Sequence, residues 1–253
     1  MIDCRNRVAF VSGSSGKLGG TMARMLAEAG ADVALHAFSR PERLRPLAAH
    51  IAQLGRKSCE IQGNVSDATD VARMRAKVEE ALGPVDILVI NAVSQLRPWL
   101  PVLEETSDRL QDQFNSCSLQ TLHLTQAFVP TMCERGWGRV IGISTECIMQ
   151  LFEKQGAYVS GKRAMDGLLR VLSKEVGPDN VTVNQVAPGW IHTGETPDRS
   201  AASLAYIEKQ SAMGRRATDI DVANTVAFLA SDLARSITGC WIPVSCGSVQ
   251  PRV

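Results

Sequence analysis

The sequence predicts an α/β fold, a doubly wound parallel sheet with helices on both faces. Three observations predict it. Short apolar runs bounded by turn residues alternate with longer helical patterns along the whole chain. A glycine-rich turn joins the first apolar run to the first helix. No repeat, low-complexity stretch or linker divides the 253 residues, so one domain is expected over 1–253.

The elements follow in order. Val8-Ala9-Phe10-Val11 is short and wholly apolar, as a strand buried on both faces should be. After the glycine turn, Thr21–Ala29 reads as a helix, with Met22, Met25 and Leu26 on one face and Gly30 closing it. Strand Asp32–Ala37, helix Pro41–Leu54, strand Ser58–Gln62, helix Asp67–Leu82 and strand Asp86–Ile90 continue the rhythm. A loop with Pro98 and Pro101 precedes a long helix, Ser107–Glu134. Then come strand Arg139–Ile143, a helix containing Tyr158 that runs to Val176, and strand Val181–Val186. A Pro, Gly and Thr-rich loop leads to helix Ile220–Ala230 and strand Trp241–Val244. Strands alternating with helices imply βαβ crossovers and a parallel sheet with helices on both faces.

Composition narrows the function. The net charge is +1, from 27 basic and 26 acidic residues, which is no electrostatic footprint for nucleic acid. No polybasic run suggests a membrane surface, and no apolar stretch reaches the roughly 18 residues needed to span a bilayer. Seven cysteines form no Cys-x-x-Cys pair and four histidines show no metal-ligand spacing. Reduced thiols, mostly packed as small hydrophobes, and no metal site are expected. The chain starts without a basic segment ahead of an apolar run, so the expected location is cytoplasmic.

The glycine turn reads Ser12-Gly13-Ser14-Ser15-Gly16-Lys17-Leu18-Gly19. At the first strand-to-helix turn of an alternating chain, residues without Cβ let backbone N–H groups approach a pyrophosphate. The helix N-terminus adds about half a positive charge for that phosphate. Dinucleotide binding is therefore expected, with Gly13, Ser15, Gly16, Lys17, Leu18 and Gly19 as candidate contacts. The second strand ends His36-Ala37, followed by Phe38-Ser39-Arg40, with no acid to take ribose hydroxyls. Ser39 and Arg40 suit a 2′-phosphate, so NADP(H) is favoured over NAD(H). The alternative reading leaves Arg40 a solvated surface residue.

Tyr158 and Lys162 stand four apart on an expected helix, hence on one face. Hydride reduction of a carbonyl leaves an alkoxide that needs a proton. A phenol near pKa ~10 is a poor acid–base at neutral pH, and a neighbouring ammonium lowers it. The pair can then serve proton transfer.

With these features on one chain, the sequence resembles the short-chain dehydrogenase/reductase family over nearly its whole length. The family's turn reads Thr-Gly-x-x-x-Gly-x-Gly; Gly13 and Gly19 match the outer glycines, Ser12 replaces Thr, and Lys17 stands at the middle glycine. Lys17 either contacts phosphate or points to solvent while Gly16 makes the turn. The resemblance implies a Rossmann-type fold and hydride transfer between NADP(H) and a carbonyl or secondary alcohol. It places Asn64, with Val65, where an Asp meets adenine. Asn91-Ala92 answers the centre of Asn-Asn-Ala-Gly. Pro188, Gly189, Ile191 and Thr193 fall in the Pro-Gly-x-x-x-Thr segment beside the nicotinamide. A substrate-binding hydroxyl thirteen residues before Tyr158 falls on Thr145, with Ser144 as the one-residue alternative.

The family's relay Asn in the long helix aligns with Cys117, and Asn115 lies about 200° away on a regular helix. Either the relay is rebuilt or the helix is locally irregular. Substrate loops are expected at Ser94–Leu103, Glu146–Lys154 and Gly194–Met213, lined in part by Leu96, Pro98, Trp99, Leu100, Ile148, Met149, Leu151 and Phe152. The resemblance implies a homotetramer in which the long helices pair. Two rival functions stay open at this stage: a dinucleotide sensor or scaffold without turnover, and a non-redox dehalogenase or dehydratase on the same fold.

Overall fold

A computed structural model of the chain describes residues 1–94, 97–191 and 201–250, the first three residues of the last segment by backbone alone. Seven strands form a single parallel sheet: β1 (Val8–Val11), β2 (Asp32–Ala37), β3 (Ser58–Gln62), β4 (Ile87–Ile90), β5 (Gly138–Ile143), β6 (Val181–Pro188) and β7 (Trp241–Val244). Their spatial order is β3-β2-β1-β4-β5-β6-β7. Phe10 at the centre lies in register with Ala34 on one side and Leu88 on the other. The chain winds outward from β1 in one direction and then from β4 in the other. Between those two strands the crossovers diverge and leave a crevice at the carboxyl edge, the switch point where such sheets bind ligands.

Two helical layers cover the sheet. α1 (Lys17–Glu28), α2 (Leu44–Gln53) and α9 (Asp219–Ala230) pack on one face. α3 (Ala68–Leu82), α5 (Gln120–Glu134) and α7 (Gly156–Glu175) pack on the other. The period of two along β1 divides its side chains between layers. Ala9 and Val11 belong to the cluster of Met22, Leu26 and Val226, while Phe10 belongs to that of Met74, Phe128 and Leu169. The Phe10 and Phe128 rings stand 5.1 Å apart. Because both faces are covered, the strands tolerate unbroken apolar runs, which is why they were legible.

Helix ends follow local chemistry. Asp67 accepts from the Asp70 amide to cap α3, and Thr218 with Asp221 forms a reciprocal box at the start of α9. Gly30, at φ +101°, ends the first helix as expected. α1 begins at Lys17, not at Thr21, because Gly16 caps it from extended backbone and Lys17–Gly20 is already helical. The last three residues of the expected glycine turn, Lys17–Gly19, therefore belong to the first turn of a helix. Two short helices lie where loops were expected: α6 (Cys147–Gln150) and α8 (Ala201–Gln210). The long helix is also broken: α4 (Ser107–Phe114) passes into a π turn, Asn115–Leu119, before α5. Among the described residues, no helix is long and apolar enough to cross a membrane. All seven cysteines are free; Cys4, Cys59 and Cys117 are buried in the apolar clusters, and Cys147 is buried beside Thr145.

Candidate active site

A cleft of about 840 Å³ opens at the switch point. It takes lining from the turn after β1, the ends of β2 to β6, and the start of α7. The structure brings every expected site residue among the described ones to this cleft; Thr193 lies outside the described residues.

One end is a cradle around the turn after β1. Gly13 has φ +72°, and a Cβ on it would press within 3.1 Å of Ala92 Cα and Asn91 Nδ2. Gly19 lets α1 touch the turn: a Cβ there would stand 2.3 Å from the Gly13 carbonyl oxygen. The first-turn amides of Lys17, Leu18 and Gly19 have no carbonyl four residues back inside the helix, so they suit an anion. This is the geometry a pyrophosphate requires, and the residues present fit it. Lys17 is exposed at the cleft mouth, and Gly16 N–H closes the turn on Gly13 O at 3.0 Å. Asn91 is a strut here: its Nδ2 donates to Ser12 O at 2.8 Å, while the amides of Asn91 and Ala92 donate to Ser12 Oγ. The hydroxyl that replaces the family's Thr thus ties β1 to β4.

His36 braces the turn from β2. Its Nδ1 accepts from the Gly13 amide at 3.0 Å, and its Nε2 lies 2.9 Å from Gly63 O. One ring nitrogen faces a donor and the other an acceptor, so the neutral imidazole with its proton on Nε2 is the form that fits. Burial pushes its pKa down, in the same direction. Beyond it, Phe38, Ser39 and Arg40 are exposed and line the cleft. Asn64 Oδ1 accepts from the Ser66 amide at 3.0 Å, and Asn64 lines the cleft beside Val65.

At the other end stand Tyr158, Lys162 and Thr145. Lys162 is buried, and its Nζ donates to Ile143 O at 2.7 Å, fixing the ammonium between α7 and the end of β5. Burial pushes the Lys162 pKa down. The Thr145 side chain lies close enough to Tyr158 to influence its phenol. Burial, and next the nearby Cys147, push the Tyr158 phenol up, and Thr145 pulls it back. The expected lowering of the phenol by Lys162 is not found here: burial dominates, and the Lys162 ammonium is engaged with Ile143 O instead. Ser144 Oγ is taken up by Trp241 Nε1 at 3.0 Å, a contact between β5 and β7. Of the two hydroxyls, Thr145 is the one that faces the phenol.

A π turn interrupts the long helix where the relay Asn was sought. The Gln120 amide bonds to Asn115 O, five residues back, which inserts an extra residue into the helix. Side chains take up neighbouring carbonyls: Thr121 Oγ1 donates to Cys117 O at 2.6 Å, and Gln120 Nε2 bonds Ser116 O. Cys117 is fully buried and close enough to influence both Tyr158 and Lys162 electrostatically. Asn115 lines the cleft, but its Oδ1 accepts from Gln111 at 2.8 Å. Of the two alternatives, the local irregularity is the one present.

Sequence reasoning missed Glu146. It is buried at the end of β5 and lines the cleft. Burial pushes its carboxyl up, opposed by hydrogen bonds from Ser248, the Trp190 backbone and Gln150. A Cβ on Gly189 would stand 2.7 Å from Glu146 Oε2, so the Pro188–Gly189 turn closes directly on this acid. The only signal was a carboxylate following two hydroxyls at the end of an apolar strand.

Residues 14–248 match the family described as Enoyl-(Acyl carrier protein) reductase, which is most of the chain. The chain belongs to the short-chain dehydrogenase/reductase family. As a member it is an oxidoreductase of CH–OH and carbonyl groups. It is similar to Nodulation protein G of Azospirillum brasilense, 32% identical over 245 residues, covering 95% of this chain and 97% of that protein. It is also similar to 3-oxoacyl-(acyl-carrier-protein) reductase FabG of Staphylococcus aureus, 32% identical over 240 residues, covering 94% and 96%. A solved relative, the promiscuous reductase LugOII that catalyses keto-reduction at C1 during lugdunomycin biosynthesis, superposes with a TM-score of 0.90 at 29% identity, covering 97% and 99%.

Proposed function

We propose that this chain, acting as one domain over residues 1–253, transfers a hydride between NADP(H) and a carbonyl or secondary-alcohol carbon. The observation that carries the reading is the set Thr145, Tyr158 and Lys162 at one end of a cleft whose other end is a phosphate cradle. A nicotinamide dinucleotide supplies the hydride when bound. Gly13, Ser15, Gly16, Leu18 and Gly19 receive its pyrophosphate, with Lys17 at the rim. Asn64 and Val65 border the adenine. Asn91 and Ala92 shape the floor, and Pro188, Gly189, Ile191 and Thr193 hold the nicotinamide side.

Tyr158 gives its phenolic proton to the carbonyl oxygen during reduction and takes it back during oxidation. Thr145 donates to the same oxygen and so orients the carbon toward the cofactor face. Lys162 holds the nicotinamide ribose, and its ammonium favours the phenolate against the desolvation that opposes it. The missing acid after β2, with Ser39 and Arg40 exposed there, supports NADP(H). The keto-reductions named for two relatives support the carbonyl substrate. The hydroxyl, phenol and ammonium set argues against a sensor or a non-redox enzyme. Exposed Leu110, Leu122, Leu168 and Val171 on α4, α5 and α7 support pairing of these helices in a homotetramer.

The test is Tyr158→Phe. General acid–base groups contribute about 10²–10⁴-fold, so ketone-dependent NADPH oxidation should fall at least about a hundredfold while NADPH titrates with unchanged affinity. Undiminished turnover in that variant would refute the mechanism.

A further inference from the structure

Beyond the cofactor, the substrate half of the cleft carries a wall that the reduction chemistry does not use. Trp99, from the loop between β4 and α4, meets Trp190, from the loop after β6. Their ring centroids are 5.8 Å apart, tilted by 48°, and both indoles are half-buried and line the cleft. Arg97 lays its guanidinium over the Trp99 ring, 4.5 Å from the ring centroid. Arg97 is exposed at the rim, and among the described residues it makes no ion pair.

Both supports are pinned. Arg109 of α4 donates to Pro98 O at 2.7 Å while its Nε holds Glu105 at 2.6 Å, which fixes the backbone beside Trp99. The Gly189 amide donates to Val244 O at 3.1 Å, and Glu146 accepts from the Trp190 backbone. The wall is thus set before a ligand arrives, and little ordering entropy remains to be lost on binding. An indole surface favours a flat π system over a flexible aliphatic chain of equal area. A stacked guanidinium keeps its in-plane donors available to a carboxylate or phosphate. The other acids of this half are Glu146, engaged with Ser248, Gln150 and the Trp190 backbone, and Asp112 of α4, which also lines the cleft.

Resting on the hydride-transfer reading for its reacting end, we propose that the substrate is a ketone on an aromatic ring system that also bears an anionic group. The ring lies against Trp99 and Trp190, and the anion reaches Arg97.

The experiment crosses ring against charge, with the full-length protein saturated in oxidised cofactor. Four ketones are titrated calorimetrically: 6-acetyl-2-naphthoate, its methyl ester, its aminomethyl counterpart, and 5-oxohexanoate, which has the carboxylate without the ring. The naphthoate should bind at least about tenfold tighter than each of the others. Trp99→Leu should reduce its advantage over 5-oxohexanoate to under threefold, and Arg97→Gln its advantage over the ester likewise. Equal binding of naphthoate and 5-oxohexanoate, or an ester or amine that binds as tightly as the acid, overturns the proposal. The amine outcome would mean that Asp112 governs the rim instead. The wild-type series decides even if a variant fails to fold. NADPH oxidation is followed separately. Selective binding without oxidation supports the wall and refutes hydride transfer; oxidation without ring or charge preference does the reverse.

Discussion

Gly19→Ala is the sharpest probe of the cofactor cradle. Gly19 lies in the first turn of α1, and a Cβ there would stand 2.3 Å from Gly13 O, 2.8 Å from Gly13 C and 2.8 Å from Asn91 Nδ2. Real Cβ contacts stay beyond 3.0 Å, so helix and turn must part by about 0.7 Å. The obstructing atom is a backbone carbonyl, which cannot rotate aside as a side chain would. Inside a helix, replacing Gly by Ala ordinarily gains about 1 kcal/mol. Overpacking typically costs about 1–3 kcal/mol, and a rigid neighbour puts this site at the upper end. The net expectation is a loss of about 1–2 kcal/mol, measured as the urea midpoint of the cofactor-free protein at constant m-value. The same displacement pulls the first-turn amides of α1 away from the turn, so NADPH affinity, followed by fluorescence titration, should fall about tenfold or more. Adding Asn91→Ala removes one obstruction but not the carbonyl, so it should restore neither quantity. A Gly19→Ala protein as stable as wild type, with unchanged NADPH affinity, would refute the close-approach argument. Recovery in the double variant would shift the cause to Asn91.

Two further expectations concern the neighbours of that turn. Replacing Arg40 by Asp should weaken NADPH at least tenfold relative to NADH, since the 2′-phosphate would meet a carboxylate where it met a guanidinium; equal losses for both cofactors would place Arg40 in solvent. His36 makes stability depend on pH. Its folded pKa is depressed by burial, so below the unfolded value of about 6.5 the unfolded chain binds more protons than the native one. Stability should therefore fall as pH drops through that value toward the depressed one. Protonation would also set an N–H of the ring against the Gly13 amide. His36→Gln retains an acceptor and a donor without the titration, so its urea midpoint should fall less steeply between about pH 7 and 5. Parallel pH profiles for the two proteins would show that His36 does not contribute.

The chain itself determined the order of elements, because strands buried on both faces are predominantly apolar, β1 and β4 wholly so, and that run pattern survives in one dimension. It also determined the Tyr158–Lys162 face, since a separation of four on a helix is a purely local geometry. The glycines at 13 and 19 were legible for the same reason, although the helix proved to begin inside their turn. The tertiary structure decided everything that rests on contacts between distant segments. The engagement of Ser144 depended on Trp241, nearly a hundred residues away, whose indole N–H donates to the serine hydroxyl. The π turn in the long helix depended on an inserted residue beside the Gln120 and Thr121 side-chain bonds, which no periodicity of 3.6 can register. Burial of Glu146, and the meeting of Trp99 with Trp190, depended on loops that join only when the sheet is wound. A local spacing can say which residues share a face; only the packed chain says what that face confronts.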